Sequence, residues 1–235
     1  MSRLPRLDAP GTLHHMWKMG ETMREYWNGR FRNEGRVWGD CQSRTAVYAE
    51  AIFRKHGVKR LLVPGAGYGR NAEYFAALGY EVTGIEISEE ALRLVRKDTA
   101  VKYCPGSVLD MPLDARKYDA VYCFNVLHLF RRDDRSLFLR KCFEVLEDGG
   151  IAFFVVFSEK EAQFGRGNMV EENTFESKPG RPVHFFTEDD LVESFRGFEL
   201  LDTGLMEDPE DHGTEGPHVH WVRFISASKC SRDSV

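Results

Sequence analysis

The absences in this 235-residue chain narrow its class before any motif is considered. No apolar run approaches the roughly 20 residues needed to cross a bilayer, and the longest, Ile151 to Phe157, is far shorter. Met1 to Gly11 is polar, carries Pro5 and Pro10 and has no apolar stretch, so no secretory leader is expected. There is no C-x-x-C pair. The five cysteines (Cys41, Cys104, Cys123, Cys142, Cys230) are odd in number and scattered, which argues against a disulfide framework or a zinc site and for a reducing, cytoplasmic setting. Positive charge is not in excess: the net charge is −5. Nucleic acid and anionic membrane are therefore not the expected partners, since both require a basic face. Repeats, low-complexity tracts and long linkers are also missing, so residues 1–235 are expected to form a single domain.

The composition that remains is 42% hydrophobic and 29% charged, enough for one α/β domain with a full core. Gln42 to Lys55 and Asn71 to Leu78 read as helices, and the apolar Lys59 to Val63 reads as a buried strand. Tyr80 to Ile87, Val101 to Cys104, Tyr118 to Phe124 and Ile151 to Phe157 read as further strands, with a helix over Arg135 to Leu146. Ser88 is placed to cap a helix whose first turn holds Glu89 and Glu90. Strands alternating with helices predict an open, mostly parallel sheet with helices on both faces. The last third differs. Ser158 to Arg181 reads as a long substrate loop, with Gln163 to Asn168 as its contact stretch. Thr187 caps a helix, and Phe198 to Met206 and Val219 to Ser226 are expected to pair antiparallel across an acidic Glu207 to Pro217 connection. The expected layout is a helical arm (1–57), a nucleotide-type core (58–157), a substrate loop (158–186) and a C-terminal helix with its strand pair (187–235).

Val63-Pro-Gly-Ala-Gly-Tyr-Gly-Arg lies between the first strand and its helix, and Gly65, Gly67 and Gly69 let the backbone turn tightly against a ligand. Glu86, 21 residues after Gly65 and at the end of the next strand, stands where a carboxylate accepts ribose hydroxyls. A dinucleotide enzyme would place a small residue three positions after Gly67, where the helix packs on the strand. This chain has Arg70 there. An adenosine ligand without pyrophosphate fits better, favouring S-adenosylmethionine over a nicotinamide cofactor, with an oxidoreductase as the alternative.

At this point the chain resembles the class I S-adenosylmethionine-dependent methyltransferases. LLVPGAGYGRN, VTGIEIS, GSVLDMP, YDAVYCFNVLHLF and LEDGGIAFFVVF follow that family's order from Lys59 to Phe157. The segment Tyr26 to Gly39 is similar to the N-terminal arm of the thiopurine and tellurite-resistance methyltransferases. The resemblance implies a Rossmann-like, seven-stranded sheet ending in an antiparallel strand pair. It implies contacts to the cofactor from Gly65, Ala66, Gly67 and Gly69, from Glu86 and Ile87, from Ser107 and Val108 at the adenine, and from Phe124 and Asn125 near the methionine part. Ser107 stands where the usual adenine-loop aspartate would be, so adenine contact is expected through backbone amides. The arm carries Trp27, Phe31 and Trp38 as lid candidates. Read from the residues alone, Trp17, Trp27, Phe31 and Trp38 equally form a plug that packs a helix on the sheet. A sulfonium near aromatic faces gains ~0.5–2 kcal/mol of cation–π attraction, so lid and plug are compatible.

Methyl transfer is an in-line displacement in which positioning supplies about 7–11 kcal/mol in favourable cases. A thiol acceptor needs no dedicated base, whereas a hydroxyl does. The candidates on the acceptor side are His128 at the end of the fourth strand, His218 on the last strand, and Arg223, which could hold an anionic acceptor. His128 and His184 have structural readings as well as catalytic ones. His218 and His220 alternate on one face, but no third metal ligand is identifiable, so no metal site is expected. The expected acceptor is a small molecule, a soft nucleophile (thiol, selenium or tellurium species) or a small acid. The product would be S-adenosylhomocysteine, and the protein a monomer or weak homodimer. A noncatalytic cofactor-binding partner subunit is the remaining alternative.

Overall fold

A computed structural model describes residues 13–111, 116–178, 180–212 and 216–230, with side chains from Met23 onward and without those of residues 211 and 212. The Trp17 side chain and the middle of the acidic connection fall outside the described residues. Two helices come first, α1 (Leu13–Glu34) and α2 (Arg44–Lys55). Then follow β1 (Arg60–Pro64), α3 (Arg70–Ala77), β2 (Glu81–Glu86), α4 (Glu89–Arg93), β3 (Lys102–Pro105) and β4 (Tyr118–Phe124). A 3₁₀ turn at Leu127–Leu129 leads to α5 (Arg132–Val145) and β5 (Leu146–Phe157). The C-terminal third contains β6 (Asn168–Glu171), β7 (Thr174–Lys178), β8 (Arg181–His184), α6 (Glu188–Ser194), β9 (Phe198–His212) and β10 (Gly216–Lys229). No described helix is long and apolar enough to cross a membrane.

The main sheet has seven strands in the order β3-β2-β1-β4-β5-β10-β9. β1 to β5 are mutually parallel, while β10 runs antiparallel to both β5 and β9. The central strands are apolar on both faces because each face carries its own helices. Along β5, Phe154 and Val156 pack with Phe138, Leu139 and Cys142 of α5 and with Leu191 and Phe195 of α6. The alternate residues Phe153 and Val155 pack with Ala49 and Phe53 of α2 and with Phe75 of α3. Ser43 caps α2 by accepting from the Ala46 N–H, and its hydroxyl also meets the buried Tyr122 hydroxyl at 2.9 Å. Ser88 and Thr187 cap α4 and α6 in the same way.

The stretch expected as a long loop instead forms a separate three-stranded sheet, β6-β7-β8. Its strands are short and mostly polar, with few buried residues, so in sequence they resemble a polar loop. The turn between β6 and β7 places Asn173 at φ +54°, a conformation asparagine tolerates. Phe164, Phe175 and Phe185 pack ring to ring beneath this sheet. The acidic connection is likewise mostly strand: β9 continues to His212 and β10 begins at Gly216.

Candidate active site

Strand order reverses between β1 and β4, and ligands of open α/β sheets bind outside the carboxyl ends of the strands at such a point. A cleft of about 1220 Å³ lies there. Gly65 and Gly67, at φ +68° and +58°, fold the β1–α3 turn across it. The Ala66 N–H donates to Ile85 O at 2.9 Å, and the Gly67 N–H donates to Glu86 Oε2 at 2.8 Å. Glu86 Oε1 accepts from the Ser88 N–H at 2.7 Å. Burial raises the Glu86 pKa above the ordinary carboxylate range, opposed by those backbone N–H groups. The carboxylate is thus held in one orientation at the cleft, with lone pairs remaining for ribose hydroxyls.

Asn125 follows β4 directly and, at φ +56°, turns the chain at the strand's end. Its Oδ1 is buried and meets no donor among the described residues, a cost offset where a ligand supplies the missing partner. Ser107 bonds its own turn, its hydroxyl accepting from the Leu109 N–H at 3.1 Å. Asp110 is exposed and does not reach the cleft. The donor set therefore fits S-adenosylmethionine. Glu86 would take the ribose, Ser107 and Val108 would flank the adenine, and Asn125 would accept from the methionine ammonium.

Trp27, Phe31 and Trp38 line the cleft together with Tyr68, and they also pack as a plug on α4 with Ala91 and Leu94. Tyr68 was not anticipated, although an aromatic residue inside the glycine turn marked it. Its hydroxyl donates to Gly39 O at 2.8 Å and accepts from the Trp38 N–H at 3.0 Å, tying the arm to the cofactor turn. The Asn28 side chain of α1 accepts from the Ser88 hydroxyl at 2.8 Å, so the arm is also anchored at α4.

Most of the residues singled out from sequence converge here, including Gly65, Ala66, Gly67, Glu86, Ile87, Ser107, Val108, Phe124, Asn125, His128 and His218. Two do not. Gly69 lies behind the turn, where an added Cβ would overlap the Tyr103 hydroxyl, so its role is to start α3 and not to meet ligand. Arg223 is buried away from the cleft, bidentate to Glu159 at 2.6 and 2.9 Å, and also bonds Phe186 O. Its guanidinium is spent on holding the chain after β5 against β10. His184 is also structural, hydrogen-bonded to Thr174 Oγ1 at 2.8 Å and to Asp190.

His128 lines the cleft, but it is not poised as a base. Its Nδ1 accepts from the Phe157 N–H at 3.2 Å, which leaves the ring proton on Nε2. Burial, with smaller contributions from His184 and His220, pushes its pKa down to about 3, so it stays neutral. On the other face of Phe157 lies His220, with ring centroids 5.1 Å apart. His220 and Glu161, neither chosen from sequence as catalytic, join His218 at the acceptor end of the cleft.

This sheet order, cofactor turn and terminal carboxylate are those of the class I methyltransferase fold. Residues 62–154 match the family described as a methyltransferase domain. Over 176 residues the chain is 30% identical to a probable S-adenosylmethionine-dependent methyltransferase of Mycolicibacterium smegmatis, covering 71% of this chain and 65% of that protein. A ubiquinone biosynthesis O-methyltransferase of Xanthomonas axonopodis pv. citri is 31% identical over 123 residues, half of each chain. The chain thus spans between about half and two thirds of these relatives' lengths. Among solved structures, the fold matches the 1,6-didemethyltoxoflavin-N1-methyltransferase of Burkholderia thailandensis with TM-score 0.68 and 23% identity, over 96% of this chain and 94% of that one. It matches TehB of Haemophilus influenzae with TM-score 0.60 and 18% identity, over 88% and 66%. The chain carries a methyltransferase domain in its core and has the Rossmann-like class I methyltransferase fold, with a cleft whose residues fit S-adenosylmethionine as cofactor.

Proposed function

We propose that this chain transfers the methyl group of S-adenosylmethionine to a small, anionic acceptor held between the aromatic arm, the small sheet and the β9–β10 hairpin. One observation carries the anionic part: cations crowd the acceptor end of the cleft. Arg30, Arg166, Lys178 and Arg181 all line it. Arg181 lies over the Tyr26 ring at 3.6 Å and ion-pairs with no carboxylate among the described residues. Burial lowers its pKa, opposed by Tyr26 and reinforced by the neighbouring Arg30. Arg30 lies over Trp38 at 4.9 Å, with the half-exposed Glu34 carboxylate 3.5 Å from its Nε. An acceptor anion reaching Arg181 would offset the repulsion between the two guanidiniums that Glu34, on Arg30 alone, leaves.

The cofactor supplies an electrophilic methyl on a sulfonium, and the protein's part is to position the acceptor and exclude water. Anionic thiols and selenium or tellurium oxyanions fit the same cations, as do carboxylic acids. The protein is taken to act as a monomer or weak homodimer, without nucleic acid or membrane as partner. Cys41, Cys104, Cys123, Cys142 and Cys230 are all unbridged, in keeping with a cytoplasmic setting.

The test is a methylation screen with isotopically labelled cofactor over 3,4-dihydroxybenzoate, 2-mercaptobenzoate, tellurite and their neutral analogues. Charged acceptors should be preferred, and Arg181→Gln should raise their KM about 10-fold or more while leaving S-adenosylhomocysteine affinity unchanged, since a charged hydrogen bond is worth ~1.5–3 kcal/mol. Equal use of neutral analogues, with no effect of Arg181→Gln, would overturn the anionic reading.

A further inference from the structure

The hairpin places four titratable side chains in register, with Asp208 opposite His220 and Glu210 opposite His218. Behind them Glu161, 4% exposed in the turn after β5, meets His220 Nδ1 with Oε1 at 3.1 Å. Its other oxygen accepts from the Trp221 N–H at 3.0 Å, so the carboxylate is fixed by the strand it serves. His218 Nδ1 lies 2.8 Å from Gly216 O, which can only accept, so this nitrogen carries a proton. His220 Nδ1 likewise donates to the Glu161 carboxylate oxygen. The two Nε2 atoms face each other 3.1 Å apart, with Glu210 Oε2 3.9 Å from that of His220. Two bare lone pairs repel at that distance, whereas one proton between them makes a hydrogen bond. The pair then holds three protons and one positive charge, in the field of Glu161, Glu210 and Asp208.

We propose that His218 and His220, positioned by Glu161, form a single proton seat that takes the proton from the acceptor, and that the methylated group is therefore a hydroxyl or ring N–H. This rests on reading the cleft as the acceptor site. In the working state the shared proton has left to solvent and the pair is neutral. The acceptor's O–H or N–H gives its proton to one Nε2, and the lone pair so released bonds to the methyl carbon. The carbon–sulfur bond breaks with its electrons going to sulfur, and the new proton is held between the two rings until it leaves.

Other described groups facing the pair are neutral His128 across Phe157, and Arg70 of α3, whose Nη2 bonds Glu210 at 2.7 Å. Burial lowers the His220 pKa, but Glu161 first, then Glu210 and Asp208, outweigh it and raise it overall. The neutral, proton-accepting form is accordingly reached only as pH rises through a value above the ordinary imidazole range. A base here matters little to a thiol, which ionises near neutral pH unaided, and much to a hydroxyl.

The decisive measurement is nitrogen-detected NMR of the histidine rings in the full chain across pH. His220 should titrate with a midpoint above the ordinary ~6.5 that falls in Glu161→Gln, and below that midpoint the two Nε2 signals should report one proton shared between the rings. No shared Nε2 proton, or a His220 titration insensitive to Glu161→Gln, would overturn the proposal whether or not any acceptor is found. In parallel, His218→Gln and Glu161→Gln should cut kcat for 3,4-dihydroxybenzoate about 100-fold or more. The same variants should leave 2-mercaptobenzoate turnover within a few-fold and flatten the pH profile of the hydroxyl reaction. Equal losses for both acceptors would also count against it. Loss of S-adenosylhomocysteine binding by the wild-type protein would instead sink the site reading, and the NMR result would stand apart from it.

Discussion

Substituting Gly65 by alanine tests the cofactor turn, because the structure gives two separable reasons for glycine there. The residue sits at φ +68°, and an added Cβ would overlap Val126 Cγ2, with Cγ1 at 3.4 Å and Cβ at 3.5 Å. A side chain in the left-handed region costs ~1–2 kcal/mol. Forcing a methyl into packed surroundings costs a further ~1–3 kcal/mol, giving a total of about 2–5 kcal/mol. A domain with ~5–15 kcal/mol of stability still folds after such a loss. Val126→Ala alone removes a half-buried side chain that packs on the main core and should cost about 1 kcal/mol. In the double variant the overlapping methyl is gone and only the backbone strain remains, so the two changes should couple favourably by ~1–3 kcal/mol. Urea unfolding of the four proteins measures this, and calorimetric titration with S-adenosylhomocysteine measures the turn. Gly65→Ala should weaken binding more than Val126→Ala does, with partial recovery in the double variant. Additivity within about 0.5 kcal/mol would refute the steric reasoning.

Two other outcomes follow from buried titratable groups. Burial raises the Glu86 pKa, so its contribution to stability is full below the unfolded carboxylate value and is lost as pH rises through the folded one. Glu86→Gln removes that cost of burying charge but gives up one of two backbone acceptances. The unfolding free energy should therefore change little, by less than ~2 kcal/mol, while S-adenosylhomocysteine affinity drops ~10–100-fold. A large stability loss with unchanged affinity would contradict this. His128, pushed down to about 3, behaves oppositely: its contribution is full above the unfolded value near ~6.5 and is lost as pH falls from there toward 3. The urea midpoint should decline over that window and decline less steeply in His128→Asn, so parallel slopes would show that His128 is not the buried neutral group described.

The parallel core was legible because its strands are buried on both faces and its turns carry glycine, which is how Tyr118–Phe124 emerges with its observed limits. Glu86 and Asn125 were legible as cleft residues because strand ends at a switch point face the cleft whatever their neighbours do. The small sheet was not, since β6 to β8 are short, mostly polar strands with few buried residues, and their hydrogen bonds leave no mark in composition. Gly69 and Arg223 failed for related reasons. A glycine records backbone freedom without saying which side approaches ligand, and an arginine on a strand does not reveal Glu159, which lies 64 residues away and only folding brings near. The Glu161–His220 contact spans 59 residues and was equally hidden, although the spacing of His218 and His220 correctly placed both on one face.

Arg70 shows why the cofactor and acceptor halves of the cleft are not independent parts. Its position in the first turn of α3 spoke against a pyrophosphate ligand in sequence, and the structure gives the physical form of that argument. The guanidinium donates to Trp38 O at 3.0 Å and to Glu210 at 2.7 Å, and lies over the Phe124 ring at 5.3 Å. Both members of the Arg70–Glu210 pair are largely buried, so removing either would leave a buried charge exposed to a low dielectric, which is costly. The aromatic arm, the helix that follows the cofactor turn and the hairpin carrying the histidine pair are thereby fastened at one cation. Any displacement of the turn must be felt at Glu210, and through its place opposite His218 at the proton seat. Methyl donor and proton acceptor are in this way held at a fixed separation, which an in-line transfer requires and which three separate loops on one sheet edge would not guarantee.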